Sequence, residues 1–412
     1  MAILNAHTLL LLTQLTLLSA PNFAGRRAIL VTSIGLFTLW THLIGPVGDD
    51  PREAQTWTLF WPVWLATLEK CITAGRQTIE EKYWRLDQPA REATTFPAFS
   101  LAKLKWAAGL LFNARLAGWN AQVKTVTPVP HTTKAAYLRK QAFKAAQSFL
   151  MADLALQLGI RWFWTTADDQ KYPDSKLLTI RREDTLPSFV NALVFGCGPY
   201  FCMQFQYLTA SVIAVGLNLS QPEDWPPLFG NITETTTVRA FWGQFWHQTL
   251  RRPLTTFGHV VTDFLRLSRR GPLAFYIHIW NAFLISGLLH AQSMALLPRP
   301  KNITLYESTA GLMYFFVWQA LIITAEDIAQ RIWIKSGRTI ESLGAFRFVV
   351  GYTWVAWSLW VSLPWAADVM MRVRLTEESF LPFTIFGPWI NVSPSVSPGI
   401  SKRGVWGNFE MV

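Results

Sequence analysis

The sequence predicts an all-α protein, a polytopic transmembrane helical bundle of about seven to nine spans forming a single membrane domain over residues 1–412. Three observations predict it. Apolar residues make up 51% of the chain and charged residues only 15%, against roughly 25% charged in soluble domains. Long apolar runs recur, and about 20 such residues cross a bilayer. Tryptophan is frequent, at 21 in 412, and many stand near run ends, as in the aromatic belts of membrane interfaces. A disulfide-stapled secreted scaffold is excluded, because Cys71, Cys197 and Cys202 are the three cysteines of the whole chain. Their spacing matches no zinc pattern, so no metal is expected.

The runs follow in order. Leu9–Ala20 is short and is followed by small residues, like a signal-peptide core. It lacks the positive start of one, since Arg26 and Arg27 come after it, so it is read as a retained anchor or short span. Ala28–Val47 is a longer run. Trp57–Leu68 is apolar but interrupted by Pro62. Phe99–Phe112 carries Lys103 and Lys105, which suits an interfacial helix better than a span. Ser148–Trp164 is the next span. Leu186–Leu219 is too long for one straight crossing, and Gly196-Cys197-Gly198-Pro199 should kink or break it. Pro272–Leu297, Thr309–Thr324 and Phe348–Met371 complete the clear spans, and Phe380–Ile390 is too short to cross alone.

The net charge of +11 is concentrated. Between Lys70 and Gln147 there are 13 Lys/Arg and 4 Asp/Glu, so this basic loop (residues 70–147) carries +9. It is read as cytoplasmic under the positive-inside rule and as a surface for anionic lipid. No nucleic-acid-binding motif accompanies it, and nucleic acid is not an expected partner. Alternation then puts Thr165–Thr185 on the far side and returns Ser220–Gly271 and Asp327–Ala345 to the cytoplasm. Those two returning segments are net positive, whereas Thr165–Thr185 has five acidic and four basic residues.

Titratable side chains inside a span are costly and usually functional. His278 and His290 lie in one apolar helix. At 3.6 residues per turn Phe283, Ser286, Gly287 and His290 share a face, so His290 occupies a small-residue notch with a hydroxyl one turn away. An interhelical packing face would produce the same pattern. His278 and Asn281 lie on a different face and are read as structural. A second constellation fills the polar segment: Pro222–Gly230 (PEDWPPLFG), then Phe241–Pro253 (FWGQFWHQTLRRP). Arg239–Leu250 reads as a helix, with the pairs Phe241/Phe245 and Trp242/Trp246 at the membrane surface and His247, Gln248, Arg251 and Arg252 as its polar end. Phosphate loops, dinucleotide fingerprints, nucleophile elbows and HExxH are absent from the sequence.

Taken together, PEDWPPLFG, FWGQFWHQTLRRP and the ISGLLH that ends at His290 resemble the wax-synthase-like branch of the membrane-bound O-acyltransferase superfamily. The fungal acetyltransferases of terpenoid and meroterpenoid biosynthesis look nearest, and the acyltransferase core falls at about residues 222–300. Phe112–Asn120 is similar to a further family block, usually written with RGIGW, and departs from it at Ala114, Leu116 and Ala117. The resemblance implies a helical bundle in the endoplasmic reticulum membrane around a tunnel in which acyl-CoA meets a hydrophobic alcohol. His290 would be the intramembrane catalytic histidine, and His247 falls where the superfamily has Asn or His.

On that resemblance His290 is the general base, a role that typically contributes about 10²- to 10⁴-fold, and Ser286 is an orienting or substrate-side hydroxyl. His247 or Gln248 would stabilise the oxyanion. Trp246, Gln248, Arg251 and Arg252 form the acyl-CoA side, the arginines pairing with phosphate. Acetyl-CoA is the expected cosubstrate, with no resident cofactor; membrane lipid and other pathway enzymes are the expected partners. Leu297 lies about 10 Å of helix beyond His290, so the base sits toward the far leaflet and CoA needs a tunnel. Two alternatives are a long-chain alcohol or diacylglycerol acyltransferase, and a transporter or receptor using His278 and His290. Paired intramembrane carboxylates and a two-fold repeat, which would favour a transporter, are not evident in the sequence.

Overall fold

Apolar runs with polar caps at their starts become helices here. The computed structural model describes residues 5–390 apart from 59–60, 128, 131, 165–173, 182–186 and 338–343. Among them the extended pairing is one isolated bridge, Arg85 to Trp119. The helices are α1 (Ala6–Ser19), α2 (Arg26–Ile44), α3 (Pro51–Thr58), α4 (Trp61–Thr73), α5 (Ile79–Lys82), α6 (Leu101–Phe112), α7 (Lys134–Trp164), α8 (Ser188–Gly216), α9 (Val238–Ala240), α10 (Arg251–Phe264), α11 (Pro272–Ala295), α12 (Ala310–Lys335), α13 (Phe346–Arg372) and α14 (Gly387–Ile390). Asn5 and Ser100 cap α1 and α6 by accepting from the amides of Thr8 and Lys103. Pro62 is the second residue of α4 as described, in the first turn, where its missing N–H costs nothing.

Among the described residues three helices, α2, α11 and α12, are long and apolar enough to cross a membrane by length and composition, fewer than the seven to nine spans expected. Helices α7, α8 and α13 are longer than α2, but Lys, Asn, Gln, Ser and Gly positions dilute their hydropathy. Ser148–Trp164 proves to be the second half of α7, which begins at Lys134. The Gly-Cys-Gly-Pro step does not break its helix: α8 is continuous, with Pro199 inside it. Helix α6 matches the expected interfacial segment in extent, yet one of its faces is inside the protein. Trp106, Ala107, Leu110 and Leu111 are buried, while Leu101 and Phe112 stay exposed.

The connections gather at two ends. At one, the basic segment meets the polar one: Arg85 pairs with Asp224 at 2.9 Å, and Arg252 donates to the Ala121 carbonyl. The far part of α12 joins them, because Glu326 accepts from the amides of Val238 at 2.6 Å and Arg239 at 3.1 Å. At the other end Asn302 donates to Asp174 at 2.8 Å, Lys176 pairs with Glu307 at 2.8 Å, and Arg52 with Glu378 at 2.6 Å. This is the grouping that alternation demands, although most of Thr165–Thr185 lies outside the described residues. The basic segment is also no open loop. Glu80 binds both Arg26 at 2.6 Å and Lys103 at 2.8 Å in a buried cluster that ties it to α2 and α6.

The largest departure is at Arg239–Leu250, which is not one helix. Thr237 caps the short α9, a π-helical turn spans Phe241–Phe245, Trp246 is extended, and α10 starts at Arg251. The turn is closed by Trp246 N–H to the Phe241 carbonyl at 2.7 Å, one residue wider than an α-helical bond. Pro253 in the first turn of α10 favours a fresh start there. Phe241 and Phe245 therefore enter the core, with Phe283, Phe315 and Phe316, instead of lying on a membrane surface.

Candidate active site

A cavity of about 1330 Å³ is bounded by α7, α8, α11, α12, α13 and residues 230–255. His290 and His247 both line it, on different elements. Helix α11 presents His290 as its periodicity requires, with Phe283, Ser286 and Gly287 buried on the same side. Gly287 makes the notch: a Cβ there would stand 3.0 Å from Met313 Sδ and 3.2 Å from Phe316 Cβ, so α12 approaches closely. The imidazole is walled by Phe316, with ring centres 4.7 Å apart, and by Trp61 at 5.3 Å. Trp61 is fixed in turn, its indole N–H donating to Ser293 at 2.9 Å.

Nδ1 of His290 is 2.7 Å from the backbone carbonyl of Ser286. A carbonyl can only accept, so in the neutral ring the proton sits on Nδ1 and the lone pair on Nε2. The orienting atom is thus the main-chain oxygen of Ser286, a correction to the expectation that its hydroxyl would orient the ring. The Ser286 side chain is itself at the cavity wall.

The π turn delivers His247. Its Nδ1 contacts the Thr249 hydroxyl at 2.7 Å, and its ring lies 5.6 Å from Trp246 and 6.3 Å from Phe229. Burial, then the nearby His290 and Arg115, lowers its pKa to about 4, so His247 is neutral at cellular pH. Gln248 braces this turn. Its amide donates to the carbonyls of Trp242 at 3.0 Å and Trp246 at 2.5 Å, and its oxygen accepts from Arg251 at 2.8 Å. With its donors so engaged, Gln248 shapes the loop.

The two arginines separate. Arg251 lines the cavity at its exposed rim and donates to the Gly243 carbonyl at 2.6 Å. Arg252 points elsewhere, into an ion pair with Glu69 at 2.5 Å, and is not among the cavity residues. Trp246 lines the cavity as expected. So does His278, although it also packs edge-on against His259, ring centres 4.6 Å apart, at the α10–α11 crossing. Sequence reasoning missed Trp61, Phe316 and the rim residue Arg239, whose guanidinium sits 4.7 Å from the Phe275 ring. Only the tryptophan-rich composition of residues 57–64 hinted at any of them.

An aromatic-walled cavity inside an all-helical bundle, holding two neutral-capable histidines, suits a membrane enzyme of acyl transfer. Residues 225–318, which include both histidines, match the model of the membrane bound O-acyl transferase family. Residues 133–216, essentially α7 and α8, match that of the Aspirochlorine biosynthesis protein F C-terminal domain. The chain is 38% identical over 219 residues to Aspirochlorine biosynthesis protein F of Aspergillus oryzae, covering 53% of this chain and 85% of that one. It is 30% identical over 266 residues to Acetyltransferase spyB of Aspergillus fumigatus, covering 59% of this chain and 41% of that one. Against Acetyltransferase ataH of Aspergillus terreus it is 30% identical over 235 residues, covering 53% and 74%. No solved structure matches the chain. The chain belongs to the membrane bound O-acyl transferase family.

Proposed function

We propose that this chain is an acetyl-CoA-dependent O-acetyltransferase that esterifies a hydroxyl of a terpenoid or meroterpenoid intermediate in fungal secondary metabolism. One observation carries the reading: His290 and His247 line the same aromatic cavity, with Arg251 at its rim. Nε2 of His290 takes the proton of the acceptor alcohol as its oxygen attacks the thioester carbonyl. The C–O bond forms, the tetrahedral intermediate collapses, and the C–S bond breaks. The CoA thiolate leaves with the proton that His290 returns. His247, neutral and beside His290, stabilises the oxyanion, and Arg251 pairs with CoA phosphate. Arg251 and His290 both line this cavity, which supports a path for CoA from the rim to the histidine. On this reading the protein lies in the endoplasmic reticulum membrane, with α7, α8 and α13 crossing alongside α2, α11 and α12.

A second acceptor class is favoured by the likeness to Aspirochlorine biosynthesis protein F, which covers the α7–α8 wall: an intermediate of an aspirochlorine-type pathway. Microsomes containing the chain, supplied with acyl-CoAs from acetyl to stearoyl and with acceptors of both classes, test the proposal. Acetyl ester formation is expected. Transfer confined to long acyl chains would replace it with the wax-ester or diacylglycerol reading.

A further inference from the structure

The connection after α6 carries a buried arginine far in sequence from the site. Arg115 is 6% exposed, and its partners are neutral oxygens. Nη1 donates to the Pro227 carbonyl at 2.5 Å; Nη2 donates to the Pro226 carbonyl at 2.8 Å and to the Tyr207 hydroxyl at 2.7 Å. Tyr207 donates to the same Pro226 carbonyl at 2.6 Å, and its ring centre is 5.4 Å from the guanidinium carbon. The arginine is itself anchored. Asn113 and Ala117 exchange two hydrogen bonds, at 2.9 and 3.0 Å, across the turn that holds it.

The two carbonyls belong to the stretch that seats the histidine loop. Two residues past Pro227, Phe229 packs on Trp246 at 5.2 Å and on His247 at 6.3 Å. Gly230 N–H then donates to the Phe245 carbonyl at 2.8 Å. There is no slack at that contact, since a Cβ on Gly230 would lie 2.2 Å from the Gln244 carbonyl oxygen. Adjacent prolines fix their own φ and have no N–H, so their position is set by what their carbonyls meet. A planar guanidinium meets two neighbouring carbonyls at once, which a lysine ammonium cannot do in the same geometry.

We propose that Arg115 is a positioning residue for the reaction: by holding the carbonyls of Pro226 and Pro227 against α8, it sets the place of His247 in the cavity. The proposal rests on the acetyl-transfer reading for its kinetic test but not for its structural one. A displacement of about 1 Å at a catalytic group can cost on the order of 10²-fold in rate.

The experiment is Arg115→Lys in the full chain, with Arg115→Ala beside it. Lys keeps the charge and loses the fork. Turnover per folded molecule should fall about 10- to 100-fold, with KM for acetyl-CoA changed by less than about twofold. Methylguanidinium should restore part of the turnover of Arg115→Ala. Hydrogen exchange should rise over residues 226–248 in both variants and stay unchanged over α11. Wild-type turnover per folded molecule in Arg115→Lys, or faster exchange spread over the whole bundle, overturns the proposal. If the wild type transfers no acetyl group to any acceptor, the functional reading fails, and the exchange pattern alone decides the role of Arg115.

Discussion

Arg252 closes an ion pair with Glu69 at 2.5 Å, and the Glu69 side chain is 1% exposed. Removing one partner of a buried pair costs up to about 3–5 kcal/mol, and here Lys70, 3.6 Å from Glu69, still faces the carboxylate and limits the loss. Arg252→Ala should therefore lower the unfolding temperature in detergent while leaving KM for acetyl-CoA unchanged in the folded fraction. Arg251→Ala should do the reverse. A lost phosphate contact of roughly 1.5–3 kcal/mol raises that KM about tenfold or more. Steady-state kinetics and thermal melts on both single variants separate the roles, and equal effects on both measurements would contradict the assignment.

Gly230 and Gly243 make a matched pair. A Cβ on Gly230 meets the Gln244 carbonyl at 2.2 Å, whereas one on Gly243 meets nothing within 4 Å. Gly230→Ala should force the π turn away from Pro226–Phe229 and lower both turnover and folded yield. Gly243→Ala, in the same turn, should be tolerated. Side-by-side expression and turnover assays check this, and an active Gly230→Ala variant would mean the turn has slack the structure does not show.

The neutral state of His247 has a consequence for stability. Its pKa falls from about 6.5 to about 4 on folding, so the unfolded chain binds more protons between those values. The stabilisation associated with this residue is complete above about pH 6.5 and fades as pH drops toward 4. His247→Gln should remove that part of the acid destabilisation. Melts of wild type and variant between pH 7 and about 4.5 should converge on the acid side; parallel curves would show that His247 is not held neutral.

Two of the four glycosylation sequons in the sequence, Asn231-Ile232-Thr233 and Asn302-Ile303-Thr304, report topology. Asn231 lies on the cavity side with the polar segment, and Asn302 lies at the opposite end, bound to Asp174. With the polar segment cytoplasmic, Asn231 should carry no glycan, and its glycosidase-sensitive mass should be nil. Robust glycan at Asn231 would invert the orientation.

The parts of this fold written in local periodicity were legible. Pro272–Leu297 anticipated α11 to within two residues, and the face shared by Phe283, Ser286, Gly287 and His290 is the buried one. A sequence window ends where its own pattern ends, and there the expectations diverged. Phe241/Phe245 and Trp242/Trp246 have helical spacing, but the Glu326 carboxylate from α12 and the backbone of Gly230 impose a π turn that no local signal encodes. Arg251 and Arg252 are equivalent neighbours as text; Glu69, 183 positions away, tells them apart. Arg115 stood in a block that departs from the family pattern around it, and its partners Tyr207, Pro226 and Pro227 are equally remote. The first half of α7 was missed because its lysines and arginine lower hydropathy without opposing helix formation.

The central claim is that His290 takes the proton of the acceptor alcohol, and His290→Ala tests it most directly. The variant should insert and express like wild type while its kcat with acetyl-CoA falls about 10²-fold or more. His290→Asn should fail as badly, because an amide can occupy the hydrogen bond to the Ser286 carbonyl but cannot accept a proton at neutral pH. His278→Ala is the control and should keep most activity, since that ring packs against His259 at the α10–α11 crossing. Near-normal turnover by a well-expressed His290→Ala protein would contradict the account.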